Sequence, residues 1–119
     1  IDRETEDIFL LIKLISEKRR AELFHQAELI CQQNSGNIIG VLSLLLRNYR
    51  IGYKMQVCNC TLAELGVSPR TYIPKLSANA CNQAMNVLDD IVSNIKRGFY
   101  SQDIALRIAL AKLCVIHDI

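Results

Sequence analysis

The stretch Ile104-Ala-Leu-Arg-Ile-Ala-Leu-Ala-Lys-Leu-Cys-Val-Ile116 is apolar everywhere except Arg107 and Lys112. A second stretch, Ile38-Ile-Gly-Val-Leu-Ser-Leu-Leu-Leu46, is apolar nearly all round. A helix of this kind cannot be satisfied by one neighbour, because a single core contact hides only about a third to a half of its circumference. A chain with two such segments must therefore build a helical fold in layers around them. Whatever neighbours do not cover becomes a surface for something else.

The rest of the chain supplies candidate neighbours. Ile8, Leu11, Ile12 and Ile15 recur at i, i+3, i+4 and i+7, one face of a helix over 2–16. Ser16 is placed to cap a second helix running from Glu17 to about Gln33, with Leu23, Ala27, Ile30 and Cys31 inward. Asn34-Ser-Gly-Asn37 is a break. A third helix follows from about Asn37 to Val57, its second half amphipathic and basic through Arg47, Arg50 and Lys54. Ala84, Val87, Leu88, Ile91, Val92 and Ile95 give the clearest period of all, over 78–97, and Gly98 ends it. The last helix spans Ser101 to about His117.

Between the third helix and this periodic one, Leu62-Ala-Glu-Leu-Gly-Val-Ser-Pro-Arg-Thr-Tyr-Ile-Pro-Lys-Leu76 reads as a helix pair. Thr61 and Glu64 have the spacing of a capping box. Gly66 supplies the left-handed residue of a helix end. Ser68 and Pro69 are the favoured N-cap and first residue of a new helix. Pro74 falls too deep in that helix for the first turn and shortens or kinks it. The expectation is an all-α fold, a compact bundle of six or seven helices in a single domain over 1–119, with the helix at 37–57 central.

Length and composition agree: half of the 119 residues are hydrophobic, 22% are charged, and there is no Trp. The net charge of +2 does not announce a nucleic-acid protein. Lys18-Arg19-Arg20 abuts Glu17 and Glu22 and reads as a solvated helix start. The five cysteines form no disulfide framework, and Cys31, Cys81 and Cys114 sit among apolar residues as core positions. Cys58-Asn-Cys60 lacks two further ligands at zinc spacing, so no metal and no cofactor is expected. His25 falls on a helix flank and His117 near a fraying end, both surface or boundary positions. No catalytic constellation and no phosphate loop is present, and an enzyme is not expected. No apolar run is long enough for a membrane span, no signal peptide is apparent, and reduced thiols fit the cytoplasm. A chain that begins at Ile1 with a charged helix start reads as a fragment of a longer protein.

Taken in order, four stretches resemble the C-terminal helical domain of the bacterial DNA polymerase III delta subunit, a clamp-loader component. Asp7-Ile-Phe-Leu-Leu-Ile-Lys-Leu-Ile15 is similar to its first helix. Leu44-Leu-Leu-Arg-Asn-Tyr-Arg-Ile51 is similar to its L-x-R-Q-F/Y-R-L signature, with Asn48 in place of Gln. Ala63-Glu-Leu-Gly-Val-Ser-Pro-Arg-Thr-Tyr-Ile73 is similar to its A-x-x-L-G-V-x-P-F/Y helix pair. Ile95-Lys-Arg-Gly98 with Ala105-Leu-Arg-Ile-Ala-Leu110 is similar to its closing element, with Val92 where an acidic residue is usual. The resemblance implies a non-hydrolysing subunit whose C-terminal domain joins those of four other subunits in a helical collar. It implies an N-terminal, AAA+-like region that grips the sliding clamp, upstream of this fragment, and contact with DNA only through the assembly. The expected partner surface is Arg47, Arg50, Leu106, Arg107, Leu110 and Lys112, with the apolar strip of the last helix left partly open. The alternative is a helix-turn-helix regulator, reading DNA through Arg70, Thr71 and Lys75 at the start of a recognition helix.

Overall fold

A computed structural model describes residues 3–33, 37–68, 71 and 73–118. Five α-helices are formed among these residues, and no strand. They are α1 (Arg3–Ser16), α2 (Arg20–Gln33), α3 (Ile38–Cys58), α4 (Ala78–Lys96) and α5 (Gln102–Ile116). The helical periods place the core as expected. Ile8, Leu11, Ile12 and Ile15 of α1 are buried, as are Leu23, Ala27, Ile30 and Cys31 of α2 and Cys81, Ala84, Leu88 and Ile91 of α4.

The apolar helix α3 is the hub. It packs against α1, α4 and α5, most extensively against α4. Helix α5 in turn packs on α2, α3 and α4. Gly52 makes the α3–α4 seam close. A Cβ built there would stand 3.2 Å from Ile73 Cγ2 and 3.4 Å from Cys81 Sγ, so the chain leading into α4 crosses α3 where a side chain is missing. At the other end of α3, the Gln102 side chain accepts a 3.0 Å hydrogen bond from the Ile38 amide. That bond satisfies one of the amides left open at a helix start and ties α3 to the entry of α5.

Among the described residues five helices are formed rather than the expected six or seven. The Thr61–Glu64 capping box is present: the Glu64 amide donates to Thr61 Oγ1 at 3.3 Å and the Thr61 amide donates to Glu64 Oε1 at 3.4 Å. Gly66, at φ +70°, ends the turn, with the Val67 amide on the Leu62 carbonyl at 2.9 Å and the Gly66 amide on the Ala63 carbonyl at 3.1 Å. Start and stop lie so close together that a single hydrogen-bonded turn separates them. The helix start expected at Pro69 lies outside the described residues; Thr71 and 73–77 are non-helical, and α4 starts only after Ser77, whose side chain accepts from the Ala80 amide at 3.2 Å. Pro74, buried in this non-helical stretch, has no N–H to donate within a helix.

The α1–α2 junction also differs. Ser16 is the last residue of α1, not a cap, and among the described residues its buried Oγ finds no partner. Lys18 takes the left-handed conformation at φ 60°. The Arg19 amide bonds the Leu14 carbonyl and the Lys18 amide bonds the Ile15 carbonyl, a glycine-type helix stop built with lysine. Helix α2 therefore begins at Arg20, and Arg19 is held by Glu22 at 2.9 Å and Glu17 at 3.3 Å.

Candidate assembly surface

Helix α5 divides its apolar residues between two faces. Leu106 and Leu110 are 0% and 1% exposed and belong to the core with Ala105, Ala109, Leu113 and Cys114. They are therefore not surface residues, and this part of the expected partner interface is corrected. The opposite face carries Ile104, 52% exposed, and Val115, 77% exposed, with half-buried Ile108 and Ala111 between them. The steps of four, three and four residues keep these side chains in one line, roughly 16 Å long at the rise of an α-helix. Arg107 and Lys112 are exposed beside the line, and Arg107 reaches Glu28 of α2 at 3.8 Å. An open apolar strip rimmed by the two cations is present, built from neighbours of the expected residues. Sequence could not make this assignment, because a helix apolar on nearly every position has no period to say which side faces in.

Arg47 and Arg50 are exposed on α3. With Ile51 and Lys54 they face Leu65 and Val67 of the capped turn across a cavity of about 290 Å³. Of the residues expected to touch DNA, Arg70 lies outside the described set, Thr71 is half-buried, and Lys75 is exposed on a non-helical stretch. Among the described residues no recognition helix presents them.

A larger hollow, about 390 Å³, lies between α2 and α5 and is lined by Glu28, Cys31, Gln32, Asp103 and Arg107. It carries both signs of charge and its cation is paired with Glu28. The Cys31 thiol points at the Asp103 carbonyl, 3.9 Å away, and burial pushes its pKa up, so it is not an activated nucleophile. Cys81 and Cys114 are buried and likewise raised by desolvation, while Cys58 is exposed. Among the described residues no group of three or more His, Cys, Asp and Glu side chains could hold a metal ion. No helix among them is long and apolar enough to cross a membrane.

One pair was not legible in the sequence. His117, expected at a fraying end, is buried, and its Nε2 lies 2.8 Å from the hydroxyl of fully buried Tyr49. The rings meet edge to face at 5.9 Å. Burial drives the His117 pKa down to about 4 and the Tyr49 pKa upward, so the pair is neutral. It pins the end of α5 to the middle of α3. Residues 68 apart with no shared motif give no sequence cue to such a bond.

Comparison with known proteins finds no matching family, no similar curated protein and no similar solved structure.

Proposed function

We propose that this chain is a subunit-assembly module, the collar domain of a DNA polymerase III delta subunit, acting in the cytoplasm to support loading of the sliding clamp. The observation that carries this reading is the outer strip of α5. Solvated apolar side chains aligned along one helix form a surface that monomers rarely leave open unless it binds. The four motif stretches that resemble the delta subunit support the same assignment, and one of them overlaps α5. In this reading α5 serves two layers at once, its inner face closing the domain on α3 and its outer strip meeting a neighbouring collar subunit. Clamp contact belongs to an N-terminal region outside these 119 residues, and DNA is reached through the assembled ring.

The test is reconstitution of the intact subunit with its ring partners, comparing wild type with Ile104→Asp and Val115→Asp. Both positions are exposed, so the variants are expected to fold normally and to lose ring assembly by tenfold or more, about 1.4 kcal/mol. Leu106→Asp and Leu110→Asp are unsuited to the purpose, since they place a charge in the core. If the folded Ile104 and Val115 variants enter the ring with wild-type affinity, the assembly reading fails.

A further inference from the structure

The cavity between α3 and the capped turn is chemically one-sided. Arg47, Arg50 and Lys54 project from α3 at i, i+3 and i+7, and Ile51 stands between them at the floor with Leu65 and Val67 opposite. None of the three cations pairs with a carboxylate among the described residues. The nearest acid in the sequence, Glu64, is occupied by Thr61 through the capping box. Like charges one turn apart on a helix repel, and no carboxylate among the described residues offsets them here. The hollow between α2 and α5 shows the contrast, because there an ion pair neutralises the lining.

We propose that this cavity binds an acidic peptide segment of a partner protein, in which one large apolar side chain is flanked by carboxylates. The apolar side chain fills the aliphatic floor formed by Ile51, Leu65 and Val67. The carboxylates meet the guanidinium groups of Arg47 and Arg50, which can grip them bidentately, and the ammonium of Lys54. The volume of about 290 Å³ suits one anchoring side chain rather than a whole metabolite. A nucleic-acid strand fits the lining less well. Phosphates would use the cationic rim but not the aliphatic floor, and among the described residues the floor offers no aromatic ring on which a base could stack. A small inorganic anion would also leave the floor unused. The proposal does not rest on the collar assignment, since the cavity lies on α3 and the turn rather than on the outer strip of α5.

The experiment is fluorescence anisotropy on the purified chain. The probe is a labelled peptide with a central Leu flanked on each side by Asp and Glu. Two control peptides replace the Leu by Ser, or the acids by Asn and Gln, and a labelled oligothymidine is titrated in parallel. The expected result is saturable binding of the acidic Leu peptide, weakened about tenfold or more by either change in the peptide. Arg47→Glu with Arg50→Glu should abolish it without changing the thermal unfolding midpoint. Val67→Ser, which leaves all three cations, should weaken the Leu peptide but not the Ser peptide. Equal binding of the Leu and Ser peptides would reduce the cavity to a simple anion site and overturn the proposal. So would tighter binding of oligothymidine than of peptide, indifference to the Arg substitutions, or no binding of the peptide at all.

Discussion

Two chain stops in this protein share one backbone pattern and end very differently. At Gly66 and at Gly98 the chain turns left-handed, at φ +70° and +82°. At each, the following amide reaches back five residues: Val67 to the Leu62 carbonyl and Phe99 to the Asn94 carbonyl, both at 2.9 Å. Gly98 closes the nineteen residues of α4, whose face Cys81, Ala84, Leu88 and Ile91 is sunk in the core. Gly66 closes one exposed turn with only Leu62, Leu65 and Val67 half-covered. The local hydrogen-bond chemistry is the same, so it cannot be what makes one segment a helix and the other a turn. Burial decides that, and the stop signal only sets where the helix finishes.

Substitutions can test this division. The largest effect is expected at Leu88→Ala, which empties a fully buried site on α4 and should cost about 2–5 kcal/mol in chemical denaturation. Leu65→Ala, in the half-covered turn, should cost under about 1 kcal/mol. Comparable losses at the two sites would show that the turn is part of the core.

Next comes the stop at the end of α5, which uses no glycine. Asp118 is left-handed at φ 62° and the C-cap His117 is anchored from inside by Tyr49. The folded-state pKa of His117 near 4 lies below the ordinary value of 6.5, so between these pH values the unfolded chain binds the extra proton. Protonation therefore favours unfolding. The contribution is complete above about pH 6.5 and is lost as the pH falls toward 4. Urea midpoints measured from pH 7 to pH 4 should show that decline, and His117→Gln should flatten it. An equal decline in wild type and His117→Gln would assign the acid sensitivity elsewhere.

The glycine stops come after. Open space surrounds a Cβ at either Gly66 or Gly98, so only backbone strain is at issue. Gly98→Ala should cost about 1 kcal/mol of global stability. Lys18, which occupies the same position at the end of α1, offers the converse, and Lys18→Gly should stabilise by about 0.5–1 kcal/mol. Gly66→Ala should have the smallest effect, below about 0.5 kcal/mol, because the exposed turn can open without unfolding the rest. Hydrogen exchange at Val67 would then show faster opening while the Phe99 amide stays as in wild type.

The same contrast explains what was legible. Periodicity located the buried faces of α1, α2 and α4, because each has a polar side to define the apolar one. Thr61, Glu64, Gly66 and Gly98 revealed their caps because those residue types have few other uses. Ser16 misled, since its hydroxyl resembles a cap while the actual stop is a lysine in a conformation that residue rarely adopts. The helix start expected at Ser68-Pro69 falls partly outside the described residues, and the described positions 71 and 73–77 are non-helical. On α5 the sequence announced excess apolar surface but not its orientation, so Leu106 and Leu110 were expected outside and Ile104 and Val115 carry that role. The Tyr49–His117 pair and the cavity at Arg47, Arg50 and Lys54 depend on distant segments meeting, which no local pattern encodes.

The partition of the thiols offers a spectroscopic handle. Three cysteines are sealed in the interior with raised pKa values, and Cys58 is exposed at the last residue of α3. Thiolate-seeking dyes at neutral pH should therefore attach at exposed Cys58 and spare the core, while desolvation and the neighbouring Cys58 push the Cys60 thiol up as well. Cys58 follows Lys54 by four residues, one helical turn, which sets an attached fluorophore beside the basic cavity. With Cys60 replaced by Ser, a single reporter would sit at the rim of the peptide cavity and far along the chain from the α5 strip. Occupancy of that cavity could then be followed optically inside a larger assembly, where anisotropy of a small peptide is no longer informative.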